Sequence, residues 1–100
     1  METLRGAQIR QLRRLAHGLG PVVQVGKQGV TEAVVRSVEQ AIEANELIKV
    51  KFIDHKDEKQ ALCAEIAART SSVLVGVLGN VATFYRRQAD DEKRKIELAP

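Results

Sequence analysis

The sequence predicts an α/β fold, a compact α-β-α-β-α-β-β domain with a four-stranded mixed sheet. Three patterns lead to this prediction. Apolar residues recur at helical spacing in three segments, apolar and lysine residues alternate over Glu46–Ile53, and Gly79-Asn80 separates two apolar runs as a hairpin turn does. Two successive βαβ units imply parallel pairing with right-handed crossovers, and the final hairpin adds an antiparallel strand.

The first predicted helix, residues 5–18, has two contrasting faces. One is aliphatic, and at about 100° per residue the opposite face collects Arg10, Arg13, Arg14 and His17. Such a helix either lies on a membrane or presents its charge to an anion. Because the aliphatic face lacks Trp and Phe anchors, we expect it to dock on the domain with the basic face outward.

A glycine loop follows the predicted strand Val22–Val25 and reads Gly26-Lys27-Gln28-Gly29. Glycines allow the backbone to approach a ligand closely. Thr31 is a good N-cap for a helix over 32–44, so the N–H groups of Gln28 to Thr31 are expected at a helix N-terminus, where anions bind. With Lys27 as a mobile cation, the loop predicts a clamp for a phosphate backbone; an ordinary turn is the alternative.

Two lysines lie on one face of the next predicted strand, Glu46–Ile53. Lys49 and Lys51 alternate there with apolar residues. They either protect an edge strand against aggregation or extend a cationic surface. A helix over 57–70 follows.

The last predicted strands are Val73–Leu78 and Val81–Arg86, with Arg86 as a further cation at the strand end. Residues 88–100 are charged and sparsely apolar, and they predict a partly mobile tail in which Lys95–Leu98 could add a brief edge strand. The whole is expected to form a single domain over residues 1–98.

The charge distribution is uneven along the 100 residues, whose net charge is +3. Residues 1–31 carry five Lys or Arg against one Glu, whereas residues 32–47 carry four Glu against one Arg. This asymmetry is typical of a polyanion binder. The three aromatic residues are too few for a base-stacking platform. Without an apolar run of membrane-spanning length or a signal-peptide core, the expected location is the cytoplasm.

The sequence contains no recognisable catalytic constellation. No cluster of carboxylate and histidine residues has metal-ligand spacing around the two histidines, His17 and His55, and His55 is interpreted as a solvated loop residue. The single cysteine, Cys63, is interpreted as a small buried apolar residue. We therefore expect no enzymatic activity, no metal, no cofactor and no small-molecule substrate.

Four ordered segments carry a family resemblance: Leu15-Ala16-His17 with Pro21-Val22-Val23, then Val25-Gly26-Lys27-Gln28-Gly29-Val30-Thr31, Glu46-Leu47-Ile48-Lys49-Val50-Lys51 and Phe84-Tyr85-Arg86-Arg87. Over residues 5–98 the chain resembles the CRM domain (chloroplast RNA splicing and ribosome maturation) in its bacterial stand-alone form, the YhbY-type RNA-binding proteins. The resemblance implies a fold similar to the C-terminal domain of bacterial translation initiation factor three. It also implies RNA binding without catalysis and association with precursors of the large ribosomal subunit.

The resemblance assigns the family's glycine loop to Gly26, Lys27, Gln28 and Gly29, and its basic first helix to Arg13, Arg14 and His17, with Arg10 beside them. Lys49, Lys51 and Arg86 are possible extensions of that surface. Few aromatics and many cations predict that folded or duplex RNA is recognised by shape and backbone, with little base reading. The resemblance implies that this RNA is ribosomal, and nothing in the sequence requires more than a monomer. The alternative is a protein-interaction adaptor that docks to ribosomal proteins and contacts RNA incidentally.

Overall fold

The computed structural model describes residues 3–100. Across these residues it contains three α-helices and a four-stranded mixed sheet, which confirms the predicted α/β class. The elements in chain order are α1 (Gly6–Ala16), β1 (Val23–Val25), α2 (Glu32–Asn45), β2 (Leu47–Phe52), α3 (Lys59–Thr70), β3 (Val73–Leu78) and β4 (Val81–Tyr85). Short 3₁₀ turns lie at Lys56–Glu58 and Asp91–Lys93.

The strand order in the sheet is β1-β2-β4-β3. β1 is parallel to β2, as the first βαβ unit predicts, and β4 is antiparallel to both β2 and β3. The second βαβ unit differs from the prediction. Strand β3 runs in the same direction as β2, but the two strands do not pair, since β4 lies between them. Residues 82–85 of β4 are all buried, and a strand with both faces covered belongs in the interior of a sheet.

Helices cover both faces of the sheet. On one face α2 and α3 pack on the larger core, whose fully buried residues include Val38, Phe52, Ile66 and Phe84. On the other face α1 packs on the smaller core of Leu12, Ala16, Leu47, Val75 and Tyr85. The alternation within β2 separates the two sides, because Ile48, Val50 and Phe52 enter the larger core whereas Leu47 enters the smaller one. The acidic helix α2 and the basic helix α1 therefore lie on opposite faces of the sheet.

Residues 88–100 pack on the domain, although their composition predicts a mobile tail. Glu46, only 1% exposed and at a φ of 64°, accepts backbone N–H groups from Gln88 (2.8 Å), Lys95 (2.6 Å) and Ile96 (3.0 Å). These bonds compensate the burial of a carboxylate. Instead of forming an edge strand, the segment from Lys95 to Leu98 lies beside α1, where Ile96 and Leu98 pack on the smaller core.

Candidate nucleic-acid interface

Helix α1 exposes its cations and buries a narrow apolar strip. Leu12 and Ala16 are buried against the sheet, whereas the predicted basic face is exposed and consists of Arg10, Arg13, Arg14 and His17. Leu15, which the periodicity places on the apolar stripe, is 45% exposed. Arg13 and Arg14 lie in the last turn, where positive charge is stabilised by the helix dipole.

Arg13 is held in place over the sheet. Its Nε donates a hydrogen bond of 2.9 Å to the carbonyl of Val75, at the irregularity in the β3–β4 pairing. Gly76 makes room for the guanidinium, because a Cβ at this position would lie 3.0 Å from the Arg13 Nε. Among residues 3–100, neither Nη atom of Arg13 forms a hydrogen bond. The guanidinium is thus oriented by one nitrogen and can bind an external anion with the other two.

Lys49 and Lys51 extend the cationic surface from α1 across the sheet. They lie on the face of β2 opposite to the larger core, on the side that α1 covers. The Nζ of Lys49 donates 3.0 Å to the carbonyl of Leu19 and so ties the segment after α1 to the sheet. The edge-protection interpretation of these lysines is wrong, because β2 is an interior strand between β1 and β4.

A groove separates the end of α1 from the β3–β4 hairpin. Its volume is about 450 Å³. Its walls include Arg13, His17, Lys49, Leu78, Val81 and Thr83, and we call it the α1 groove. The groove connects the basic face of α1 to Lys49 of β2.

The glycine loop forms a tight turn ahead of α2. Gly29, at a φ of 71°, donates its N–H to the carbonyl of Gly26 at 3.0 Å, and Thr31 donates its N–H to the carbonyl of Gly29 at 3.1 Å. The side chain of Thr31 caps α2 by accepting from the N–H of Val34 at 3.1 Å, as predicted. Of the four N–H groups expected to face an anion, those of Gly29 and Thr31 are therefore used inside the turn. Those of Gln28 and Val30 have no protein acceptor within residues 3–100.

His55 supports the glycine loop, a role that its sequence position did not suggest. Its Nε2 donates to the carbonyl of Lys27 at 2.5 Å, and its Nδ1 lies 3.9 Å from a carboxylate oxygen of Glu58. The hydrogen bond to Lys27, aided by the charges of Asp54 and Glu58, raises the pKa of His55 above its ordinary value. The topology could have predicted this contact. Strands β1 and β2 are parallel neighbours, so the loops that follow their carboxyl ends, which contain Lys27 and His55, meet at one edge of the sheet.

The glycine loop follows β1 at the edge of the sheet, next to the end of β2. Ile53, next in the alternation after Lys49 and Lys51, lies beside Gly26, where an added Cβ would be 3.9 Å from the Ile53 Cδ1. Arg13 lies over β3 and Lys27 follows β1, so three interstrand spacings separate them across the sheet. With an offset of about four residues along the strands, the distance between the two residues is roughly 20 Å. We call this set of side chains the cationic surface: Arg10, Arg13, Arg14, His17, Lys27, Lys49 and Lys51.

Arg86, a predicted extension of the site, lies elsewhere. Its guanidinium contacts carboxylate oxygens of Glu39 at 2.6 Å and Glu43 at 2.8 Å, and it donates to the carbonyl of Thr70 at 2.8 Å. The bond from Arg86 lowers the pKa of Glu39, and the same contact raises the pKa of Arg86. Because α2 and α3 supply these partners, the structure does not bring Arg86 to the cationic surface.

The described residues provide no metal site, since within 3–100 no three His, Cys, Asp or Glu side chains come together as ligands. None of the helices in that range has the length and apolar character needed to cross a membrane. Burial raises the pKa of the Cys63 thiol to about 11, as fits a packing residue in the larger core.

The sequence is similar to known proteins over most of its length. Residues 4–86 match the CRS1/YhbY (CRM) domain. The chain is 40% identical over 96 residues to the Bacillus subtilis protein named "Probable RNA-binding protein YqeI", covering 95% of this chain and 98% of that one. It is 37% identical over 99 residues to a Haemophilus influenzae protein named "RNA-binding protein", covering 98% and 97%.

A solved structure has the same fold. The solution structure of a hypothetical Staphylococcus aureus protein, described as a candidate RNA-binding protein, superimposes with a TM-score of 0.79 at 33% identity. The superposition covers 95% of this chain and all of the other.

Proposed function

The chain belongs to the CRS1/YhbY (CRM) domain family, and from that premise we propose that it is a non-catalytic protein that binds structured RNA through the phosphate backbone. One observation carries the proposal. The basic residues of α1 and the two lysines of β2 lie on one side of the sheet, with the glycine loop at its edge, whereas the glutamates of α2 lie on the other side.

Two parts of the cationic surface have different tasks in this proposal. Lys27 and the N–H groups of Gln28 and Val30 hold one phosphate at the start of α2, where the helix dipole favours negative charge. Arg10, Arg13, Arg14 and His17, with Lys51 on the sheet, neutralise the phosphates that follow. Contacts of this kind position the protein on RNA and carry little sequence information.

The biological context of the proposal is assembly of the large ribosomal subunit. The family resemblance suggests ribosomal RNA in pre-50S particles as the partner, bound by a monomer in the cytoplasm. Sedimentation of cell extract on a sucrose gradient tests this context. We expect co-migration with particles that precede the mature 50S subunit; a protein found only at the top of the gradient would contradict it.

Salt dependence tests the electrostatic mechanism. If about four phosphates are neutralised, log K should fall against log salt concentration with a slope of roughly −3 to −4. Affinity for a duplex RNA would be measured by fluorescence anisotropy at several KCl concentrations. A flat response would contradict backbone binding.

The adaptor alternative is tested by treating lysate with ribonuclease before a pulldown. Docking through the acidic face of α2 is disfavoured because Glu39 and Glu43 are engaged with Arg86, and Glu32 is engaged with Arg69. We expect ribosomal partners to be lost after ribonuclease treatment. Partners that persist would support the adaptor.

A further inference from the structure

The α1 groove contains a polar group that the protein itself does not use. Thr83 of β4 is 8% exposed and forms part of the groove wall. Its hydroxyl has no hydrogen-bond partner within residues 3–100. The hydroxyl oxygen is not sealed from solvent, so it faces the open groove, where a bound ligand can take the place of water as its hydrogen-bond partner.

The remaining groove walls combine apolar surface with a fixed cation. Ala16 and Val81 supply aliphatic contacts, and Leu78 at the rim is 81% exposed. Arg13 is oriented by its bond to Val75 above Gly76, with both Nη atoms available. A planar guanidinium held in this way can pack on an unstacked base or bind its phosphate.

The size of the groove limits what can enter it. A volume of about 450 Å³ falls within the range of roughly 300–1,000 Å³ that is typical of small-ligand sites. That volume accommodates one nucleotide and excludes a duplex. Arg13 and Lys49 at its margin match the negative charge of a nucleotide phosphate, and His17 lies beside them.

We propose that the α1 groove receives one unstacked nucleobase from the bound RNA, with the Thr83 hydroxyl bonded to the base edge. This proposal rests on the proposed function, because the cationic surface is required to bring RNA to the groove. It adds a preference for a bulged or looped nucleotide within a structured RNA, which backbone contacts alone do not provide. Proteins commonly contact RNA bases where they are unpaired and can leave the stack.

The test compares a perfect RNA duplex with the same duplex containing one unpaired nucleotide. Wild-type protein should bind the bulged RNA more tightly, and Thr83→Val should reduce this preference by about fivefold, the size of one net hydrogen bond. Valine has nearly the shape of threonine and favours strands, so the variant should fold. Ser37→Ala, which removes an exposed hydroxyl from α2, is the matched control and should keep the preference.

A second readout does not depend on the variant. A 2-aminopurine at the unpaired position of the bulged RNA should change fluorescence when wild-type protein binds. Equal affinity for the two RNAs, an unchanged preference in Thr83→Val, or no fluorescence change on binding would overturn the base site while leaving backbone binding intact. Loss of binding to both RNAs would instead contradict the proposed function itself.

Discussion

The two faces of the sheet use the same residue types in opposite ways. On the α2–α3 face, Arg86 is paired with Glu39 and Glu43, and Arg69 is paired with Glu32 and Glu65. On the α1 face, no member of the cationic surface forms an ion pair in the part of the chain that the structure describes. The difference teaches that clustered arginines indicate a binding surface only where the fold leaves their charges uncompensated.

Charge reversal on the α1 face should have the largest effect. Replacing Arg13 and Arg14 together with Glu removes two charge-assisted phosphate contacts and adds repulsion, so affinity for duplex RNA should fall about 100-fold or more. Fluorescence anisotropy measures the affinity, and circular dichroism checks the fold. Arg36→Glu on the exposed side of α2 is the control for charge change alone. An equal loss in Arg36→Glu would mean that only net charge matters.

Removing the compensated cation should affect stability instead of binding. Arg86→Met leaves Glu39 and Glu43 without their partner and Thr70 without a donor to its carbonyl. We expect the free energy of unfolding to fall by about 1–3 kcal/mol, as for other partly buried charged hydrogen bonds. Urea denaturation measures it. RNA affinity at a temperature where the variant is folded should stay within about twofold of wild type; a large loss would place Arg86 in the interface.

A single methyl group can test the orientation of Arg13. In Gly76→Ala, the new Cβ would lie 3.0 Å from the Arg13 Nε, so the guanidinium must shift. Loss of the oriented contact should weaken RNA binding by about fivefold. Gly20→Ala is the matched control, because its Cβ would meet nothing within 4 Å. Equal affinity in the two variants would show that the position of Arg13 is unimportant.

The smallest expected effect concerns His55 and the glycine loop. The pKa of His55 in the folded protein is raised above 6.5. The contribution of protonated His55 to the stability of the fold is therefore fully present below pH 6.5 and is lost as the pH rises through the folded pKa. NMR titration of the imidazole protons should give a value above 6.5, and Glu58→Gln should lower it by removing a neighbouring negative charge. A wild-type value at or below 6.5 would contradict the contact with Lys27.

Local patterns predicted much of this molecule. The alternation in β2 predicted correctly that Lys49 and Lys51 share a face, and Thr31 was recognised as the cap of α2. Contacts between distant residues were not accessible in this way. Glu46 was counted only as one of the four glutamates of the acidic segment 32–47, yet it binds residues 42 to 50 positions away, and this pairing places the C-terminal segment on the domain.

The same distinction between local patterns and distant contacts applies to the candidate site. The basic face of α1 follows from helical periodicity, so its residues were predicted as a group. The pairing of Arg86 with α2 depends on tertiary packing, and the insertion of β4 between β2 and β3 brings Thr83 beside α1. Neither spacing nor composition contains that information.

An NMR titration of the isotope-labelled protein with duplex RNA tests the central claim most directly. The amide signals of α1, of the glycine loop from Gly26 to Val30 and of Lys49 and Lys51 should shift together. Signals from the exposed sides of α2 and α3 should stay in place. Shifts concentrated on α2 and α3, or on α1 without the glycine loop, would contradict a single RNA-binding surface on the α1 face.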